Sequence, residues 1–327
     1  MRMVLVSLLF VFGLVSGCGG LKPQEVIPTN QSRTQIVVTS QPLLEMTKTL
    51  VGENADPVLI VPTGTSSLDW SPKADDARTM QQAGLVLMSG AGYEPWKDRV
   101  SLPQSRVRDT AAGYYDQLIR IPDAITHQHG PDGSHSHPGT VWTTWLDPDL
   151  CAAQLHQASV HSVRLMPDQK QKIETAEAML SAEFTRLNTI ILSIKAATQD
   201  KELVVYSDAP TYLYLVRRLG WKLRYLHWKS FETLTEADRA ELQDLFKPNA
   251  GMPGSGDKRQ LFLLDSRHSV ETEILIQQVG GRVIRIDLCE TPGSGPATLA
   301  DRLKQNLQGI LDAVSSRMIL GWKGGRN

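Results

Sequence analysis

One uninterrupted helical pattern, from Pro167 to about Thr198, constrains the fold of this chain more than any other feature. Proline suits the first turn of a helix, and the apolar residues that follow are spaced at steps of three and four, which places them on one stripe. Those residues are Ile173, Ala176, Leu180, Phe184, Leu187, Ile191 and Ile194. A helix of roughly 30 residues is about 45 Å long and can cross from one lobe to another. No heptad-like partner occurs elsewhere, so a backbone helix packed against two lobes is favoured over a coiled coil.

Short β-type runs alternate with helical runs on both sides of the long helix. The predicted strands are 35–39, 58–61, 85–89, 202–206, 222–226, 260–264 and 282–286. The predicted helices are 43–51, 74–83, 147–161, 211–219, 236–246, 268–279 and 299–315. Such alternation is typical of parallel sheets covered by helices. The fold class is therefore α/β, with two similar lobes, each a parallel-rich sheet flanked by helices, joined by one long backbone helix.

The first residues predict export from the cytoplasm. Arg2 precedes an almost wholly apolar run, Val4 to Val15, which is too short to span a bilayer and fits a signal peptide over 1–17. The run ends on small residues before Cys18, which resembles the lipobox of bacterial lipoproteins. Acylation of Cys18 would anchor the protein to a bacterial membrane, in the periplasm or at the cell surface, through a polar tether over 18–33. An ordinary signal peptide with an incidental cysteine is the alternative.

The chain beyond the signal is long enough for two lobes. About 310 residues remain, which we divide into a first lobe over 34–164, a linking helix over 165–199 and a second lobe over 200–327. The net charge is -1, and no basic stripe is present to neutralise phosphates, which excludes a nucleic-acid partner. We expect a monomer.

Four of the eight histidines, His127, His129, His135 and His137, lie in one segment, 126–139. Its Gly, Pro, Ser and Asp residues predict a loop without regular helix or strand. Neutral imidazole is the commonest protein ligand for zinc and similar ions, and a flexible loop lets alternate rings converge on one ion. The segment therefore predicts metal capture, and a solvated surface loop is the alternative.

Four local motifs occur in a fixed order along the chain. They are Val61-Pro62-Thr63-Gly64 with Trp70-Ser71-Pro72, then Gly90-Ala91-Gly92-Tyr93-Glu94-Pro95-Trp96, then the histidine segment running into Trp145-Leu146-Asp147-Pro148, and finally Asp208-Ala209 with Tyr212. With the long helix between them, this order resembles the cluster A-I solute-binding proteins, which bind zinc or manganese and feed bacterial ABC importers. The resemblance covers nearly the whole mature chain. It implies two α/β lobes with a metal ion in the cleft between them, an importer permease as partner, and no enzymatic activity.

The same resemblance implies three histidine ligands and one carboxylate ligand. The histidine positions fall on Leu68, Thr143 and Ser207 in this chain, whereas the carboxylate position is matched by Asp287. The nearest imidazoles to the second position are His137 and His135. Asp69 adjoins the first position, and in the family the residue matching Asp208 mostly orients its neighbours.

We therefore predict a metal site built from His137, His135 and Asp287, with Asp208 or Asp69 completing the roughly four donors that zinc usually takes. The accessory candidates are His127, His129, His227, Cys289 and Ser207. Thiolate ligation by Cys289 would favour zinc over manganese, and a buried, inert cysteine is the alternative. For His227, which ends a predicted strand, a supporting or packing role is favoured over direct ligation.

Two functional hypotheses follow. The first is an extracytoplasmic solute-binding lipoprotein that captures zinc, or alternatively manganese, and delivers it to the permease of an ABC importer. The second is a degenerate two-lobed surface lipoprotein that acts as an accessory or interaction protein, with only weak metal binding by the histidine segment. An enzyme is disfavoured because the chain has no nucleophile motif, phosphate loop or His-Glu-x-x-His motif.

Overall fold

A computed structural model describes residues 34–121, 126–128, 134–136, 139–199, 203–228, 232–246, 259–293, 295 and 297–315. The predicted signal, the lipidation residue Cys18 and the tether lie outside these residues. None of the helices it describes combines the length and apolar character needed to cross a membrane.

The first half of the chain forms a parallel four-stranded sheet in the order β2-β1-β3-β4. Its elements are β1 (Thr34–Val38), α1 (Gln41–Val51), β2 (Ala55–Leu59), α2 (Ala74–Gln82), β3 (Leu85–Met88) and β4 (Val107–Asp109). Ser40 begins α1 by accepting a hydrogen bond from the backbone N of Leu43. The predicted strands and helices of this half are confirmed to within a few residues. Strand β4 was missed because its three residues are all only half-buried and show no apolar alternation.

Two short strands follow in the histidine segment. They are β5 (Thr126–Gln128) and β6 (Ser134–Ser136), which pair antiparallel. The prediction that this segment contains no regular strand was wrong. The Gly and Pro residues that prompted it lie between and after the two strands, where a connection can tolerate them.

Two long helices come next, α3 (Pro148–Leu165) and α4 (Lys170–Thr198). Asp147 caps α3 by accepting from the backbone N of Asp149, as its Asp-Pro start predicts. A short 3-10 turn, Pro167–Gln169, precedes α4. The apolar stripe predicted for α4 is confirmed except at Ala176, which is only half-buried. Its buried apolar residues are Ile173, Leu180, Phe184, Leu187, Ile191 and Ile194.

The second half repeats the architecture of the first. Its elements are β7 (Leu203–Ser207), α5 (Leu213–Leu219), β8 (Leu223–Tyr225), α6 (Glu236–Phe246), β9 (Arg259–Asp265), α7 (Val270–Gln278), β10 (Arg282–Ile286) and α8 (Leu299–Ser315). The four strands form a second parallel sheet in the order β10-β9-β7-β8. The predicted fold class, two parallel sheets flanked by helices with one long helix between them, is therefore confirmed. The predicted domain boundaries stay predictions.

Helix α4 packs against helices from both lobes. It contacts α1 and α3 on the side of the first sheet and α5 and α8 on the side of the second. Its buried stripe belongs to a single apolar core that also contains Ile36 and Val38 of β1 and Leu261 and Leu263 of β9. Burial of apolar side chains is the main favourable term in folding, so this helix stabilises both lobes together.

Truncation of the α4 stripe should destabilise the whole protein. We expect Phe184→Ala, at a fully buried position, to lower the free energy of unfolding by about 3–5 kcal/mol because a cavity replaces the ring. The control is Leu192→Ala on the same helix, where the side chain is 65% exposed and the expected change is within about 0.5 kcal/mol. Urea unfolding followed by circular dichroism measures both. Equal effects of the two variants would contradict the packing described here.

Candidate metal centre

The segments that follow the parallel strands bring the two lobes into contact. The hydroxyl of Tyr93, in the first lobe, donates a hydrogen bond to Oε1 of Glu290 at 3.3 Å. The indole Nε1 of Trp142, also in the first lobe, donates to the same oxygen at 3.3 Å. The indole Nε1 of Trp145 donates to the backbone oxygen of Leu288 at 2.9 Å. Ligands of open α/β sheets bind outside the carboxyl ends of the strands, and Leu288 and Glu290 follow β10 at that edge. The interlobe contact is therefore where a bound ion is expected.

Asp287, the predicted carboxylate ligand, follows β10 directly and is held from several sides. Arg302 of α8 donates from Nε to Oδ2 at 2.7 Å and from Nη2 to Oδ1 at 2.8 Å. The backbone N of Cys289 also donates to Oδ1, at 2.8 Å. Asn306 holds the backbone, accepting from the N of Asp287 and donating to its carbonyl oxygen. The side chain of Asp287 nevertheless stays 37% exposed.

A second arginine pairs with two other carboxylates at the same sheet edge. Arg267 donates from Nε to Asp265, which ends β9, with N–O distances of 2.8 and 3.0 Å, and from Nη2 to Oε2 of Glu290 at 2.9 Å. Burial raises the pKa of Glu290, and the positive charge of Arg267 opposes this shift. Both carboxylates are thus neutralised by a residue of the protein itself.

Asp208 and Ser207, at the end of β7, are buried and bonded within the second lobe. Oδ2 of Asp208 lies 3.0 Å from Nε2 of His268. Burial raises the pKa of Asp208, and the bond to His268 opposes this shift. Ser207 donates its hydroxyl to the carbonyl oxygen of Ala209 at 2.6 Å. Asp208 is therefore bonded to His268, and its role at a metal site stays a prediction.

The two other expected histidine positions carry no metal donor. Leu68 is half-buried and packs against the apolar core. Thr143 is fully buried and donates its hydroxyl to the carbonyl oxygen of Thr211 in the second lobe. Asp69, next to Leu68, is exposed, and its backbone N donates to the carbonyl oxygen of Ser66. Thr143 thus joins the two lobes through a protein hydrogen bond.

Two accessory candidates differ in their surroundings. Cys289 is a fully buried free cysteine with a positive φ of 60°. Burial raises the pKa of its thiol well above the ordinary range, which disfavours the thiolate that a metal requires. His227 is exposed and lies edge-on to the ring of Tyr225 at 5.4 Å.

The histidine segment is described only in part. The register of β5 and β6 places His127 directly opposite His135. His129 and His137 lie outside the described residues. Among the residues that are described, no three His, Cys, Asp or Glu side chains lie close enough together to hold a metal ion. The described residues alone therefore provide no group of three such side chains around Asp287.

Three residues of the interlobe contact were missing from the predicted site, namely Arg267, Glu290 and Arg302. Arg302 had a signal in the sequence, because it lies with Asn306 on the apolar face of α8, between Leu299 and Leu303. A charged residue on an apolar helix face predicts a buried partner of opposite charge. Arg267 and Glu290 lie in loops, where no periodicity marks them.

Glu94, in the Gly-rich motif after β3, is a buried carboxylate that fixes the neighbouring loop. It is 2% exposed. Its Oε1 accepts from the hydroxyl of Thr39 at 2.6 Å and the backbone N of Ser89 at 2.9 Å, and its Oε2 accepts from the backbone N of Gly90 at 3.0 Å. Burial raises the pKa of Glu94 to about 7, although these donors oppose the shift.

Gly90 has a φ of +75°, and a Cβ there would lie 1.9 Å from Oδ1 of Asp109.

Glu94 should make the stability of the protein depend on pH. Its pKa rises from 4.5 to about 7 on folding, so the folded state binds the proton more tightly. The free energy of unfolding should therefore fall as pH rises from about 4.5 to 7, and level off above that range. We expect Glu94→Gln to reduce this fall, measured by urea unfolding between pH 5 and 8. Exposed Glu53→Gln is the control and should keep the wild-type slope. An identical slope in both variants would show that Glu94 does not titrate in this window.

Comparison with known proteins identifies the family. The model of the family described as "ZnuA: Zinc-uptake complex component A periplasmic" matches residues 36–313. The chain is 23% identical over 220 residues to the "High-affinity zinc uptake system protein ZnuA" of Bacillus subtilis (strain 168), covering 64% of this chain and 66% of that protein. The match thus spans just under two thirds of the Bacillus protein.

Two solved structures share the fold. The metal-dependent lipoprotein YcdH from Bacillus subtilis superposes with a TM-score of 0.67 at 18% identity, covering 86% of this chain and 98% of that chain. Zn(II)-bound AdcA from Streptococcus pneumoniae superposes with a TM-score of 0.68 at 16% identity, covering 87% of this chain and 58% of that chain. These matches confirm the resemblance carried by the motifs. Since the family match extends over most of the chain, the protein belongs to the ZnuA family, the periplasmic component A of zinc-uptake complexes.

Proposed function

We propose that this protein captures a divalent metal ion outside the cytoplasm and delivers it to the permease of an ABC importer. Zinc is the proposed cargo, and manganese is the alternative. Membership of the ZnuA family supports this function, as do the Bacillus relative named for zinc uptake and the Zn(II)-bound structure of AdcA. A manganese-bound protein from Pseudomonas aeruginosa also shares the fold. The lipid anchor at Cys18, the monomeric state and the absence of enzymatic activity are part of the same proposal.

The observation that carries the proposal is the register of the β5–β6 ribbon, in which His127 faces His135 across the two strands. Two of the four histidines of this segment therefore occupy neighbouring positions. With His137 two residues after His135, they form the proposed imidazole donors.

The proposed carboxylate donor is Asp287. The chain from the histidine segment continues into Trp142 and Trp145, and both indoles bond to the segment just after Asp287. This connection supports convergence of the ribbon and Asp287 at the interlobe contact. Exposed Asp69 is a further candidate, whereas Asp208 supports the site through His268.

A specific observation also favours the second candidate, an accessory lipoprotein that binds metal only weakly. Thr143 and Ser207 stand at expected ligand positions but donate to backbone oxygens, and the carboxylate of Asp287 is paired with Arg302. On this hypothesis the histidine segment binds metal without Asp287. The two candidates therefore differ in the dependence of zinc affinity on Asp287.

Zinc affinity should fall with acid, because a proton and a metal ion compete for the same imidazole nitrogen. A free imidazole has a pKa near 6.5, so each imidazole donor should lower the affinity roughly 25-fold between pH 7 and pH 5, or about 10⁴-fold for the three proposed donors. Calorimetric zinc titration of the metal-stripped full chain, in detergent, measures this loss. A flat affinity over the range would rule out histidine ligands.

Substitution of the proposed donors separates the two candidates. We expect Asp287→Ala and the triple variant His127→Ala, His135→Ala, His137→Ala each to weaken zinc binding at least about tenfold, since each removes a donor of the same ion. His156→Ala, which removes an exposed histidine of α3, is the matched control and should bind as wild type. If only the triple variant loses affinity, or if wild type binds no tighter than about 10 µM, the accessory candidate gains. Repeating the titration with manganese decides the preferred cargo.

A further inference from the structure

The carboxylate of Asp287 already has a cation of the protein beside it. The guanidinium of Arg302 faces both of its oxygens, Nε with Oδ2 at 2.7 Å and Nη2 with Oδ1 at 2.8 Å. Two parallel N–H to oxygen bonds between a guanidinium and a carboxylate are among the strongest polar contacts in proteins, because charge and geometry are both matched. Arg302 therefore already provides a positive charge and a hydrogen bond to each carboxylate oxygen of Asp287.

The position of Arg302 is itself fixed by burial and by a second carboxylate. Its side chain is only 4% exposed, and Nη1 donates to Oε1 of Glu45 at 3.1 Å. Glu45 belongs to α1 of the first lobe, whereas Arg302 and Asp287 belong to the second. The guanidinium thus links a carboxylate from each lobe, which is the arrangement that a cation bound between two lobes would produce.

A metal ion that binds Asp287 is repelled by the positive charge of the Arg302 guanidinium. Oδ1 already accepts two hydrogen bonds, from Arg302 and from the backbone N of Cys289. A divalent ion at the carboxylate would lie within a few ångströms of the guanidinium, where like charges repel strongly in a partly buried setting. Because the side chain of Asp287 is 37% exposed, an incoming ion can reach it, but only by weakening or displacing the Arg302 pair.

We propose that Arg302 is a built-in counter-cation that competes with the metal cargo for Asp287, and so sets how tightly the interlobe site binds a divalent ion. This inference rests on the proposed function. It assigns to Arg302 the role of an affinity-determining residue that acts through Asp287. It also implies that Glu45 and Asp287 remain linked across the lobes when no metal is bound.

The test is zinc titration, by calorimetry, of the metal-stripped full chain carrying Arg302→Gln. We expect this variant to bind zinc at least about tenfold more tightly than wild type, because the competing charge is gone. The gain should disappear in the double variant Arg302→Gln, Asp287→Asn. Arg302→Lys keeps the charge and should stay within about threefold of wild type. Arg285→Gln removes another second-lobe arginine, one paired with Glu273, and should leave the affinity unchanged.

The zinc affinities of these variants either support or overturn the proposed role of Arg302. Equal zinc affinity of wild type and Arg302→Gln, or a gain that persists in the double variant, overturns it. Circular dichroism checks folding, and Arg302→Met, which keeps a long unbranched stem, repeats the comparison if the glutamine variant does not fold. Failure of the proposed function reads differently, since Asp287→Ala would then bind zinc as wild type does, or wild type itself would bind no tighter than about 10 µM.

Discussion

The apolar stripe of α4 is the constraint on which the rest of the structure depends. One helix buries Phe184, Leu187 and Ile191 in a core shared by helices of both lobes. Such a shared core ties the two sheets to one support, so that their carboxyl edges meet at a defined place. The contacts of Tyr93, Trp142 and Trp145 with the segment after β10 exist because of that support.

Charge pairing is concentrated in the second lobe, next to the interlobe contact that α4 positions. At the carboxyl edge of the second sheet, Asp265 and Glu290 are paired with Arg267, and Asp287 is paired with Arg302. The side chains of Asp265 and Glu290 are buried, and burying a charged carboxylate without a partner costs about several kcal/mol because the ion loses its hydration. The arginines therefore make this edge compatible with folding before any cargo arrives. The same pairing sets the electrostatic conditions under which a metal ion can enter.

The fold could be predicted from the sequence because its signals are periodic. The α4 stripe and the βα alternation repeat over many residues, so single exceptions do not obscure them. The site was harder to predict because its partners are far apart in the chain. Arg302 pairs with Asp287, 15 positions away in the chain, and with Glu45, 257 positions away. No local sequence pattern predicts which distant carboxylate an arginine pairs with. Strand pairing of His127 with His135 was hidden for another reason, since strands of three residues carry too little alternation to be recognised.

The burial of two cysteines has a practical consequence for handling the protein. Cys151 and Cys289 are fully enclosed free thiols, and burial raises the pKa of both. The thiolate is the form that attacks an alkylating reagent, so these two sulfurs should be inert while the chain is folded. The sequence has three cysteines in total. Alkylation of the native protein therefore reports on the chemical state of Cys18 without interference from the other two.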